Sequence, residues 1–543
     1  MFNALGRHRC WSRHGRPAGP APVPGIRLRG ARPGCPSAFC RDLRRALRPG
    51  PVRAWDRVQP SHPPGSLLYT HVRGHSRSPS VRARTSALLT VLVAAGLAPL
   101  ATASPATAAV AKHYDDFNGD GYRDLAYGNE YSGGDGYTGG AVRIAYGTAS
   151  GLSGGRSQLL HQDSPGIPGA GEEDDQWGDS LASADLNKDG YADLVVGNLS
   201  EHVGTHQYRG SVTIVWGSAS GLSGGTMLTP RSGDAYFNFG RDLATGDFNG
   251  DGSPDLVVIG GSHAWLYRGG FTKSGTTGTV SKISKGDTFW ASFGLAAGKV
   301  NGDGRTDLVI LGIEESSTSS SGFRTRAWFL KGTSSGLASG ASKTIDGVNQ
   351  LENGPTAAIG DFDKDGYGDI ALGDPDESSG KGSVTLWYGT SSGPSATRTK
   401  KLTQATSGVS GSPEAGDEFG RALSAADANG DGYADLAVGV PFEDLDGKEE
   451  AGGVHVFRGG SGGLSGSRST WLTQATSGVA GARQAWDLFG HSLRLRDLDR
   501  DGRAELTVAA NGDVTGNVLP GTPTGPTGTG SYTLPSVGNT FSD

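Results

Sequence analysis

Seven stretches of this chain place oxygen-bearing side chains at alternate positions of a nine-residue loop. In the second, Asp185, Asn187, Asp189 and Asp193 occupy positions 1, 3, 5 and 9, and Gly190 occupies position 6. The first reads Asp116, Asn118, Asp120, Asp124 and the third Asp247, Asn249, Asp251, Asp255. The fifth reads Asp361, Asp363, Asp365, Asp369 and the sixth Asp427, Asn429, Asp431, Asp435. The seventh reads Asp497, Asp499, Asp501, Glu505, while the fourth has Lys299 at position 1, followed by Asn301, Asp303 and Asp307. Successive copies start 69, 62, 52, 62, 66 and 70 residues apart. Oxygens at alternate positions can turn inward around one cation, and glycine permits the sharp bend. Calcium, which takes about six to eight oxygen ligands in flexible geometry, suits such a cage better than magnesium. An EF-hand is excluded, because it needs a glutamate at position 12. Here that position holds Tyr127, Val196, Val258, Ile310, Leu372, Val438 and Val508. An ammonium has no lone pair for a metal, so the Lys299–Asp307 loop is expected to be empty, with Lys299 paired to Asp303 or Asp307. About six Ca2+ ions are therefore expected, with altered geometry at the longer Glu505.

The elements that must hold these loops are strands. Residues 193–197, 255–259 and 435–439 are short apolar runs directly after a loop. One unit reads as four strands: 419–426, 435–439, 452–458 and 470–474, the third alternating as a half-buried strand does. Such a unit is far too small to bury its own apolar face. Seven four-stranded units at regular spacing predict an all-β fold, a seven-bladed β-propeller with the acidic loops joining strands one and two of each blade. An aromatic residue followed by glycine opens strand one at Trp177, Phe239, Phe293, Phe419 and Phe489. The first unit lacks a full opening strand, and the tail Gly538–Asp543 is expected to close the ring against it.

Residues 1–80 are expected to be a disordered basic leader, 81–108 a signal peptide, and 109–543 the propeller. The first 85 residues hold all three cysteines, seventeen arginines and two acids. A basic arm for nucleic acid is one reading of that composition. The apolar run Ala87–Leu100 and the small-residue sites 101–103 and 106–108 instead fit a secretory signal, which implies that translation begins near Val72 or Val81. Without that leader, 32 basic and 53 acidic side chains remain, a net charge of about −21. Phosphate binding needs a basic surface, so nucleic acid is not an expected partner. Ala87–Leu100 is too short and proline-broken to span a bilayer, and the mature chain is expected to be a secreted, extracellular monomer without a membrane span. Its lack of cysteine leaves core and metal, not disulfides, to stabilise it.

Phe-Gly, the Asp-x-Asn/Asp-x-Asp-Gly-x-x-Asp loop and Gly-x-Pro after strand two (Gly373 to Pro375, Gly439 to Pro441) together resemble the FG-GAP repeats of the integrin α-subunit propeller, in the form found in secreted bacterial proteins. The resemblance implies metal loops on the lower face and ligand contacts on the upper face, here 201–208, 443–450, 169–176 and 411–418. The function it implies is a non-catalytic binding or adhesion module for an extracellular protein or glycan. The alternative is a calcium-dependent polysaccharide lyase or hydrolase using acids such as Glu443, Asp444 and Asp446, for which a suitably spaced carboxylate pair would be required. The G-x-S-x-G patterns at Gly151 and Gly221 are read as turns rather than nucleophile elbows, because the elbow needs a strand-to-helix turn. Trp216, Trp265, Trp328 and Trp387 are assigned to blade packing. Trp177 and Trp486 border upper-face loops; core packing is the favoured reading for both, and ligand stacking is the alternative. His202 and His206 lack a zinc pattern.

Overall fold

The computed structural model describes residues 111–543 apart from 130–138, 205–206, 229–236, 284–289, 318–322, 346–355, 513–514, 536, 539 and 543. The expected leader and signal segment lie outside the described residues. The described strands form seven four-stranded antiparallel sheets, a seven-bladed β-propeller. Blade 2 is Trp177–Ala184, Asp193–Asn198, Ser211–Trp216 and Ser223–Leu228, and blade 6 is Leu423–Ala426, Asp435–Val440, Gly453–Phe457 and Ser469–Leu472. In every blade the second strand opens at position 9 of the acidic loop or one residue after it. The one-to-two and three-to-four turns therefore share one end of the ring. The two-to-three and four-to-one connections share the other.

The core lies between blades, not within them. Seven clusters of buried apolar side chains each span one blade and its neighbour. One joins Val212, Ile214 and Trp216 of blade 2 to Leu243, Val258 and Trp265 of blade 3. Another joins Leu386 and Tyr388 of blade 5 to Val438 and Phe457 of blade 6. The Phe-Gly signature follows from how closely these faces approach. Gly197 of the second strand lies against the Gly240 carbonyl of the next blade, where an added Cβ would come within 2.2 Å of that oxygen. Gly439 meets the Gly490 carbonyl in the same way, at 2.0 Å. No side chain fits at such a contact, and the opening glycine has positive φ, 92° at Gly240 and 98° at Gly490. The third-strand tryptophans Trp216, Trp265, Trp328 and Trp387 are all buried, as expected of packing residues.

The ring closes where blade 7 meets blade 1. Thr540–Phe541 supplies the innermost strand of blade 1, pairing Phe541 with Tyr127 and Thr540 with Gly128. The Ser542 N–H donates to the Ala126 carbonyl at 2.9 Å. Phe541 joins a cluster that includes Leu498 and Val518 of blade 7 and Leu125 of blade 1. A buried ion pair reinforces the seam: Arg496 of blade 7 lies 2.6 Å from Asp115, which also takes Arg123 at 3.0 Å. Deleting residues 538–543 exposes the edge of Leu125–Asn129 and removes the burial of Phe541, a loss on the order of 5 kcal/mol. For a chain of this size it should lower the melting temperature by about 5 °C. Calorimetry of the truncated protein tests this, and an unchanged transition would mean that the tail does not hold the ring.

Candidate metal centre and ligand-binding face

Each acidic loop is wound by its own backbone. Positions 4 and 6 both have positive φ in all seven copies, for example Lys188 at 58° with Gly190 at 94°. Position 4 was not singled out in the sequence, although glycine stands there in four copies. In the first loop the Asp120 N–H donates to Asp116 at 3.1 Å and to Asn118 at 2.8 Å, and the Gly121 N–H donates to Asp116 at 2.8 Å. The Tyr122 N–H donates to Asp120 at 3.0 Å. The sixth loop repeats these bonds at Asp427, Asn429 and Asp431. Side chains 1, 3 and 5 thus all turn toward the loop centre.

Position 9 has a second duty. Asp124 accepts the Phe117 N–H at 2.9 Å on one oxygen and the Gly147 N–H at 2.8 Å on the other. Asp193, Asp255, Asp307, Asp369, Asp435 and Glu505 repeat that pair of bonds, tying the loop to the end of strand three. All seven carboxyls are buried. Burial pushes Asp124 and Asp193 up to about 8, Asp369 and Glu505 to about 7, and Asp255 and Asp435 to about 6.

This donor set fits a hard divalent cation. Asp361, Asp363 and Asp365 bring carboxylate oxygens within 4.8 Å of one another, and Asp497, Asp499 and Glu505 do the same. The longer Glu505 therefore reaches the side chains at positions 1 and 3 of its loop. Side-chain cations already attend several loops: Arg398 pairs with Asp363, Lys273 lies 3.5 Å from Asp189, and Arg503 lies 2.5 Å from Asp501. In the fourth loop the expected pairing is corrected. Asp303 is met by Lys331 at 3.4 Å and Arg305 at 3.7 Å, and no described ion pair joins Lys299 to Asp303 or Asp307. Lys299 instead lines the axial cavity. Asp307 is fully engaged by backbone N–H groups and the Asn301 amide, which leaves it nothing to gain from the lysine.

Neighbouring loops are also joined, which the sequence did not reveal. The position 8 N–H donates to the position 1 carbonyl of the preceding blade in Ala192→Asp116, Thr306→Asp247, Gly368→Lys299, Ala434→Asp361 and Ala504→Asp427, all at 2.8–3.0 Å. Pro254 occupies that position in the third loop and has no N–H to donate.

The opposite end has different chemistry. Twelve non-glycine residues are recorded with positive φ: three at loop position 4, and nine in the two-to-three and four-to-one connections. Those nine include Tyr208, Glu418, Asp446, Glu450, Trp486 and Leu488. Such backbone is costly for residues with a side chain. Trp486 is 53% exposed and Phe237 36%, both in four-to-one loops. Trp177 is buried with the blade 1 and 2 core, so of the two tryptophan candidates only Trp486 faces solvent. His206 lies outside the described residues, and His202 stands edge-on to Tyr208 at 5.6 Å. Gly151 and Gly221 end tight turns closed by Thr148 and Ser218 hydroxyls at 2.7 Å, as read from the sequence.

Glu443 is a buried upper-face acid. Burial pushes it up to about 7, and the neighbouring Asp417 carboxylate adds to the shift. Its equivalent in blade 2, Glu201, accepts from Gln162 at 2.8 Å, Asn198 at 2.7 Å and Ser211 at 3.4 Å. Glu443 has the matching Gln404 at 2.7 Å, but Val440 replaces the asparagine and Gly453 the serine. Fewer donors leave its charged form less well held.

The fold and the repeated loops define an integrin-like propeller carrying FG-GAP repeats. Sequence comparison agrees: FG-GAP repeat models match residues 177–215, 353–387 and 419–457, and an FG-GAP-like repeat matches 247–310. Bovine phosphatidylinositol-glycan-specific phospholipase D is 28% identical over 375 residues, covering 61% of this chain and 42% of that protein. The rat phospholipase is 36% identical over 129 residues, 24% of this chain and 15% of that protein. Human integrin alpha-IIb is 30% identical over 253 residues, 43% of this chain and 22% of that protein. The chain thus spans less than half the length of each of these relatives. No helix among the described residues is long and apolar enough to cross a membrane.

Two outcomes follow. Asp→Ala at position 1 of an intact loop should lower calcium stoichiometry by one, whereas Asp303→Ala should leave it unchanged; calorimetric titration of the metal-stripped protein reads both. Glu443, raised above its ordinary 4.5, contributes stability that is complete below that pH and is lost as the pH rises through about 7. Glu443→Gln should flatten this decline of melting temperature between pH 5 and 7.5, and Val440→Asn should move it to lower pH.

Proposed function

We propose that this chain is a secreted, calcium-stabilised, non-catalytic binding module whose loops opposite the metal sites hold an extracellular protein or glycan. The observation that carries the reading is the division of the two ends. Acidic cages occupy one end. Strained backbone and the exposed Trp486 and Phe237 occupy the other. Exposed aromatic side chains beside preorganised loops are what a recognition surface needs. Asp116, Asn118, Asp120 and Asp124, with their counterparts in the second, third, fifth, sixth and seventh loops, would hold calcium. Bound there, the ion supplies positive charge to carboxylates that burial otherwise disfavours, and so couples metal to folding. Secretion rests on the apolar segment Ala87–Leu100. The partial likeness to a phospholipase named for a phosphatidylinositol glycan and to an integrin subunit supports a glycan or a protein ligand.

A second reading, a polysaccharide lyase or hydrolase, draws on Glu443 and Asp417, both raised by burial. Their bonding favours a structural duty. Asp417 accepts the Glu414 N–H at 2.5 Å, and Glu443 clamps Gln404. Blade 2 repeats the arrangement with Asp175 accepting the Glu172 N–H at 3.0 Å and Glu201 clamping Gln162.

Residues 109–543 should retain an intact glycan or an extracellular protein in calcium and release it in EDTA, and Trp486→Ala should weaken retention by about tenfold or more. A glycan array with product analysis, run beside a pull-down from extracellular matrix, reads this. Shortened or unsaturated glycan products would establish the enzyme instead, and retention insensitive to Trp486→Ala would remove these loops from the ligand site.

A further inference from the structure

The acidic loops are not equally open to a cation. Arg156 lies 3.7 Å from Asp120 of the first loop, Lys273 lies 3.5 Å from Asp189 of the second, and Arg503 lies 2.5 Å from Asp501 of the seventh. Each of these bases touches position 5 alone, at a partly exposed carboxylate. Among the described residues no ion pair reaches the third or the sixth loop. In the fifth loop Arg398 does something different and bridges two positions. One arm of its guanidinium pairs with Asp363 at position 3, and the other lies 3.6 Å from Asp365 at position 5. The Asp363 side chain beneath it is only 4% exposed.

The bridge stands where other loops use an amide. In the second, third and sixth loops position 3 is asparagine, and its Nδ2 donates to the position 5 carboxylate at 3.0, 2.8 and 3.0 Å. Asp363 has no N–H to give, so two carboxylates face each other and the guanidinium fork satisfies both. Its place is fixed from behind by the turn between strands three and four of the same blade. The Arg398 N–H donates to the Ser395 hydroxyl at 2.9 Å, and its carbonyl accepts the Tyr388 N–H at 3.3 Å. The guanidinium lies 3.9 Å from the centre of the buried Tyr388 ring, which adds a cation–π contact. The oxygens that Arg398 attends belong to the cluster in which Asp361, Asp363 and Asp365 come within 4.8 Å of one another. Calcium affinity follows the charge of the ligand set, and a fixed guanidinium both lowers that charge and holds oxygens that the ion needs. We propose that Arg398 is a resident competitor for calcium that makes the fifth loop the weakest of the six sites. The inference rests on the calcium reading of the loops.

The test is calorimetric titration of calcium into the metal-stripped protein, into Arg398→Ala, into Asp361→Ala and into the double variant. The unaltered protein should show one site weaker than the rest, and Asp361→Ala should remove that one. Arg398→Ala should tighten the same site about fivefold or more, and in the Asp361→Ala background it should change nothing. Arg398→Lys, which keeps the charge and loses the fork, should fall between the two. Lys282→Ala removes the same charge from the exposed outermost strand of blade 3 and should leave the weak site as it was. Loss of a tight site on Asp361→Ala, an unchanged or weaker site in Arg398→Ala, a gain that persists in the double variant, or an equal gain in Lys282→Ala would overturn the proposal and leave the calcium reading intact. A protein that takes up no calcium at all would overturn both.

Discussion

The constraint on which this structure depends is that no blade can bury both of its faces. Each four-stranded sheet is apolar on both sides, and each of the seven apolar clusters is completed by a neighbouring blade. A linear stack of such sheets would leave two apolar faces in water. Closing the stack into a ring removes them, and this gives a two-residue strand at Thr540–Phe541 an influence far beyond its length. The glycine-to-carbonyl contacts between blades follow from the same need, because faces must approach closely enough to exclude water.

Burying sheets this way brings a charge into the interior. The position 9 carboxyl must accept backbone N–H groups from its loop and from the end of strand three, so it is drawn below the surface. In the seventh loop Glu505 serves both as a staple of the blade and as a member of the acidic cluster. The fourth loop separates the two duties. It keeps Asp307 and its backbone bonds but has lysine at position 1, and its loop still winds correctly. The staple is therefore intrinsic to the blade, and the cage is an addition to it. Side-chain cations such as Lys331 and Arg398 occupy the field that these acids create.

The two ends of the ring differ because their connections differ in length. One-to-two loops are nine residues with a fixed turn, so they repeat faithfully. Two-to-three and four-to-one connections vary and carry most of the strained backbone. Strain of this kind persists only where surrounding structure over-determines it, and here the rigid blades do so. The buried His455 shows what the same rigidity does within a blade. It packs against Phe419, Phe457 and Trp471, and burial pushes its pKa down to about 3, so it is a neutral core residue rather than a ligand.

The sequence by itself determined the seven units, the four strands in each, the acidic loops and the closing tail, because each is written in local periodicity and in residue types needed for special φ angles. Even the fourth loop's exception was legible in one residue, Lys299. The partner of Asp303 was not, because Lys331 is near it only once strand three of that blade pairs with strand two. Nor was the fate of Trp177 and Trp486, both at the edge of similar loops: one turns into an inter-blade cluster and the other into solvent. The loop-to-loop hydrogen bonds and the glycine-to-carbonyl contacts depend on which blades are neighbours. Those are distances between residues far apart in the chain, and only the closed ring sets them.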